Sequence, residues 1–185
     1  MKSLKTIQTL SKIGKVLSKI AFVFSIVGLC VYIAGLVSLL LNNGSLIEIG
    51  GVTLHSLISE NSGYNTKSIS AALSGGMIVY AGKAVVAKVA EIYFKHELQA
   101  ETPFTSSGAY ELERLGFLTI TVSAGSAVLG TIVQGLVADF AGAEVLMENT
   151  YDCESAVFIG ITFIVMSIVC KYGAEIIEDR KMIQP

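Results

Sequence analysis

The chain has 185 residues, of which 52% are hydrophobic and only 15% charged, and its formal net charge is -2. Soluble domains usually carry about 25% charged residues, and a near-neutral balance gives no electrostatic footprint for direct nucleic-acid binding. The three cysteines fit neither a zinc spacing nor a paired disulfide framework.

The apolar residues are gathered into four runs: Ile20 to Leu41, Ile69 to Val86, Leu115 to Ala138 and Ser155 to Cys170. A hydrocarbon core about 30 Å thick needs roughly 20 helical residues. A soluble core helix rarely stays apolar on every face for that length. The sequence therefore predicts an all-α membrane protein, a four-transmembrane-helix bundle forming a single integral membrane domain over residues 1–185. The spans fall at about 20–41, 69–88, 115–138 and 155–172.

From Leu4 to Lys19, Lys alternates with Ile, Leu and Val at roughly helical spacing. This stretch reads either as a continuation of the first span or as a helix lying along the inner surface. Its amines serve as orientation signals and snorkelling anchors, and they favour anionic lipid. The first run follows a basic segment, as a signal peptide does. It is too long for one, however, and no small-residue cleavage pattern follows. Asn42, Asn43 and Gly44 read as the helix stop.

In the first outer loop, Leu46 to Ile58 holds two short alternating runs around Gly50-Gly51. That pattern predicts a small β-hairpin with a two-residue turn. His55 has no Cys beside it and few acids, and reads as a surface residue. The second span carries Lys83 and Lys88 near its inner boundary, where a lysine stem lies in lipid and its amine reaches water. Ala71, Ser74, Gly75, Ala81 and Gly82 form its small-residue face, and the helix is expected to continue to about Leu98. Glu91 and Lys95 have the spacing of a weak surface pair.

The inner loop carries the candidate contact residues Tyr93, Pro103, Phe104 and Thr105. Pro103 biases Thr102 away from helix, Phe104 suits an interfacial anchor, and Thr105 or Ser106 suits a helix cap. Glu111 follows early in the helix, where the dipole favours acid. In the third span, at about 100° per residue, Ala124, Ala127, Thr131, Gly135 and Ala138 cluster on one face. Ser123, Ser126, Gly130 and Gln134 extend that face, opposite Leu118, Val122, Leu129, Ile132, Val133 and Leu136. Small residues allow close backbone approach between membrane helices, so the small face is expected to pack and the bulky face to meet lipid. A small polar face lining a pore is the alternative. Cys30 and Cys170 read as small apolar packing residues, and Cys153 as an exposed thiol.

Loop charge sets the orientation. Lys2, Lys5, Lys12, Lys15 and Lys19 precede the first span, and Lys88, Lys95 and Arg114 flank the middle loop. Lys171, Arg180 and Lys181 follow the fourth span, while the loop from Asp139 to Glu154 has no basic residue. Basic loops stay inside. The expectation is a multi-pass cell-membrane protein with both termini cytoplasmic, which places His55 and His96 on opposite sides. The outer loop with Asp139, Glu144, Glu148, Asp152 and Glu154 is anionic.

Pro103, Phe104 and Thr105, then Leu112, Leu115 and Gly116, resemble the G-x-P-F-T-like and L-x-x-[IL]-G patterns of an uncharacterised bacterial family of four-span membrane proteins, domain of unknown function 2975. Gly173, Ile176 and Asp179 loosely follow its tail pattern, and Glu101 stands where that family has Gly. The resemblance implies a membrane protein often encoded beside a small helix-turn-helix regulator, with no catalytic residues to carry over.

The chain has no H-E-x-x-H, G-x-S-x-G or Walker pattern, and no span holds a carboxylate pair. The expected reading is a non-enzymatic regulatory or interaction protein in the lipid bilayer, without catalytic residues, cofactor or metal. The resemblance supplies the expected partner, a cytoplasmic helix-turn-helix regulator. The alternative is a small transporter or pore, formed by a homo-oligomer.

Overall fold

The computed structural model describes residues 2–41, 48–49, 52–53, 66–99, 105–143, 145 and 154–183. Four helices account for nearly all of them: α1 (Lys2–Leu40), α2 (Thr66–Gln99), α3 (Ser106–Ala141) and α4 (Glu154–Ile183). All four are long and apolar enough to cross a membrane. The chain is of the all-α, four-helix membrane class expected. Two strands, β1 (Glu48–Ile49) and β2 (Val52–Thr53), pair antiparallel with Ile49 opposite Val52. The expected turn residues, Gly50 and Gly51, lie outside the described residues.

Each helix outruns its apolar run. No proline interrupts residues 2–40, and the basic N-terminal stretch continues into the first span as one helix of 39 residues. Helix α2 stops at Gln99, close to the expected end. Thr105 opens α3 as its N-cap. The Gly108 N–H donates to Thr105 Oγ1 at 3.0 Å, and the Ala109 N–H reaches the Thr105 carbonyl at 3.0 Å. Replacing Thr105 by Ala should cost about 1 kcal/mol. Thr105→Ser should restore that loss in thermal unfolding, and an unchanged midpoint for the alanine variant would remove Thr105 from this role.

Helix α3 ends on Gly142, whose φ of 63° suits a residue without Cβ. The Ala143 N–H donates to the Ala138 carbonyl and the Gly142 N–H to the Asp139 carbonyl, at 2.9 and 3.1 Å. This is the paired closure of a Schellman end.

The chain divides into two compact units. The first comprises Met1–Val23, Lys83–Ala124 and Cys153–Pro185, and so holds both termini and the loop between α2 and α3. Its buried set includes Ala87, Ala109, Leu112, Leu115, Thr119 and Ala174. Here α3 and α4 come within backbone contact at Gly116 and Gly160. A Cβ built on Gly116 would stand 2.7 Å from the Gly160 carbonyl oxygen.

The second unit comprises Phe24–Gly82 and Gly125–Asp152. Its buried residues are small as well: Ser38, Ala71 and Ala138 are 0–1% exposed. Along α1, Gly28, Tyr32 and Gly35 meet Tyr80, Gly76 and Leu73 of α2. Each step forward on α1 matches an equal step back on α2, as in a tightly packed antiparallel pair. The Tyr80 ring covers Gly28, the Tyr32 ring covers Gly76, and the two rings lie 5.0 Å apart.

Large apolar side chains point outward. Phe24, Val27, Leu129, Ile132, Leu136, Phe140, Phe158 and Ile168 are all exposed, Phe140 by 92%. Small residues inside and bulky apolar residues outside invert the pattern of a soluble core and suit lipid as the solvent. Backbone polarity is contained within the helices. The hydroxyls of Ser18, Thr119, Thr121, Thr131 and Thr162 donate to carbonyls four residues back. Among the described residues, no buried side-chain nitrogen or oxygen lacks a hydrogen-bond partner.

Two expected faces turn out rotated. On α3 the buried line runs through Ser126, Gly130, Gln134 and Ala138, whereas Thr131 is exposed and a Cβ on Gly135 would meet nothing. The chosen centre was one residue off, because small residues occupy both flanks of that line. On α2, Ala71, Gly75 and Gly82 are buried as expected, but Ala81 is exposed. Cys30 is exposed as well, and so takes no part in close packing.

Candidate functional site

The last turns of α2 lie in the first unit and carry a charged or polar group on three sides. One side turns to α1. There Lys88 Nζ donates to Glu91 Oε2 at 2.9 Å and lies 5.2 Å from the centre of the Phe22 ring. Lys19 and Lys15 of α1 lie on the same side and add positive charge near Glu91. Glu91 thus pairs with Lys88 rather than with the expected Lys95. Lys83 is exposed.

A second side turns to α3. His96 Nδ1 lies 3.1 Å from Glu111 Oε2. The two residues stand on either side of the loop at 100–105 and tie its flanking helices together. Both are substantially exposed, so the tie contributes little stability.

The third side faces a cavity of about 510 Å³, well within the range of small-molecule pockets. All four helices wall it: Ser11 and Leu17 from α1, Tyr93, Phe94 and Glu97 from α2, Leu112 from α3, and Phe163, Met166 and Cys170 from α4. Phe94 lies across Gly14, where a Cβ would stand 2.6 Å from its ring. Tyr93 and Phe94 meet edge to face at 5.2 Å. Tyr93 and Glu97 stand one turn apart on α2, and both line the cavity. Ser11, Tyr93, Glu97, Thr162 and Cys170 make up the polar part of the described lining, and the rest of it is apolar.

Of the sequence candidates, Tyr93 belongs to this cavity and Thr105 to the α3 cap. Pro103 and Phe104 lie outside the described residues, as do Glu101, His55, Cys153, Glu144, Glu148 and Asp152. Glu97 and Phe94 went unremarked in the sequence. Their signal was present: Tyr93, Phe94 and Glu97 share one helical face within a turn. Among the described residues, no group of His, Cys, Asp and Glu is placed to hold a metal ion. No family model matches the chain, and neither a curated protein nor a solved structure is matched by it.

Proposed function

We propose that the chain is a non-enzymatic integral membrane protein whose working end is the unit holding both termini and the 100–105 loop. That end is cytoplasmic by the lysine distribution, and it docks a soluble partner. The observation that carries this reading is the grouping, in one unit, of the His96–Glu111 tie, the Lys88–Glu91 pair and the Tyr93–Glu97 cavity. The tie joins the two helices that flank residues 100–105. The resemblance to the four-span bacterial family supports a helix-turn-helix regulator as the partner, by analogy alone. The transporter or pore reading gains less support, because the hydroxyls of Thr119, Thr121, Thr131 and Thr162 bond their own helices.

Extraction in mild detergent followed by pull-down on the tagged protein tests the proposal. The wild type should retain a cytoplasmic regulator, and Tyr93→Ala with Phe104→Ala should release most of it. Retention of every partner by the double variant would end the loop-docking reading.

A further inference from the structure

The cavity of the first unit combines three features. Aromatic rings from Tyr93, Phe94 and Phe163 stand in its wall. Ring faces attract cations, most strongly where water is excluded. Among the described residues of the lining, Glu97 is the charged one and none is lysine or arginine. Access is lateral: Ile13 and Leu17 of α1, and Met166 and Val169 of α4, line the cavity and are about half exposed. The opening therefore lies between α1 and α4, on a face that is otherwise apolar.

From this arrangement we infer that the cavity is a binding site for an amphipathic organic cation, its apolar body against Phe94, Leu112, Phe163 and Met166 and its positive centre beside the Glu97 carboxylate. Such a molecule partitions into the membrane interface and enters sideways between α1 and α4. Tyr93, one turn before Glu97 on the same wall, offers a ring to the cation. Glu111 adds negative potential from α3. An organic anion of the same shape meets the carboxylate with no compensating amine among the described residues of the wall, so shape alone does not admit it. The inference goes beyond partner docking and does not depend on it.

The test compares two ions of one shape and opposite charge. Full-length protein in detergent micelles is dialysed to equilibrium against radiolabelled tetraphenylphosphonium or tetraphenylborate, with protein-free micelles as blank. The wild type should bind the phosphonium saturably above the blank and the borate only in proportion to the micelles. Glu97→Gln should weaken phosphonium binding by about tenfold. Glu91→Gln, on the α1 side of the helix, should bind as the wild type does. Equal binding of both ions would reduce the cavity to an apolar groove. No saturable phosphonium binding, undiminished affinity in Glu97→Gln, or an equal loss in Glu91→Gln would each overturn the assignment. Capture of a cytoplasmic regulator by Glu97→Gln reports on the docking reading alone.

Discussion

Gly160→Val should destabilise the folded protein by about 3 kcal/mol, and Gly116→Val by a similar amount, the upper range of overpacking costs. Both glycines lie where α3 and α4 touch. A Cβ on Gly116 would stand 2.7 Å from the Gly160 carbonyl oxygen and 3.1 Å from the Ile164 backbone nitrogen. A Cβ on Gly160 would stand 2.8 Å from the Gly116 carbonyl oxygen and would press on the Ile120 side chain. The obstruction is backbone in both directions, so no rotamer change relieves it and the helices must separate. Membrane helices associate through close packing rather than through hydrophobic exclusion, so separation removes much of what joins them. Gly125 and Gly135 of α3 supply the control, since a Cβ on either meets nothing within 4 Å. Valine there should leave stability within about 0.5 kcal/mol of the wild type. The measurement is the unfolding midpoint on titrating SDS into the protein in mild micelles. Equal midpoints for Gly160→Val and Gly125→Val would refute the close crossing.

The Gly116–Gly160 crossing also explains one of the sequence patterns. Leu112, Leu115 and Gly116 are the residues of the L-x-x-[IL]-G match, and all three are buried in the structure. Their pattern is what a helix needs on entering a crossing: two bulky residues for the core, then one without a side chain.

Hydropathy was enough to place all four helices, because a bilayer demands apolar length and the runs supply it. It failed to find the inward seam of α1. Ser11, Gly14, Ser18, Ser25, Gly28, Gly35 and Ser38 recur at steps of three, four and seven residues, and five of the seven are fully buried. The signal there is side-chain size, and a hydropathy average over an apolar run erases it. The Glu91 partner was misjudged for a different reason. Lys88 and Lys95 are both within helical reach of Glu91, and only the fold brings Lys15 and Lys19 of α1 to the Lys88 side. The cavity needs one wall from each of four helices, so no local pattern announces it. Tyr93 was legible as an aromatic candidate, but its place beside Glu97 became meaningful only once the other three walls were in place.

The tyrosine–glycine contacts of the second unit should give way more easily than the Gly116–Gly160 crossing, and their coupling should be measurable. Gly28→Val places a side chain against the Tyr80 ring, and Gly76→Val places one against the Tyr32 ring. A ring swings about χ1 where a backbone does not. Each substitution should therefore cost about 2 kcal/mol, in the middle of the range for overpacked sites. Tyr80→Ala empties the space over Gly28 and removes the ring contact with Tyr32 at 5.0 Å, with a cost of about 2 kcal/mol. The double variant Gly28→Val with Tyr80→Ala should then be more stable than the sum of its parts by about 1 kcal/mol or more, as contacting residues show in double-mutant cycles. The valine fills part of the volume the ring leaves, so each change relieves the other. Gly76→Val with Tyr80→Ala sets the reference, because the ring over Gly76 belongs to Tyr32 and the valine there keeps its clash. If Gly28→Val and Tyr80→Ala prove strictly additive in SDS unfolding, Tyr80 does not lie across Gly28, and the step-for-step match of α1 with α2 loses its anchor.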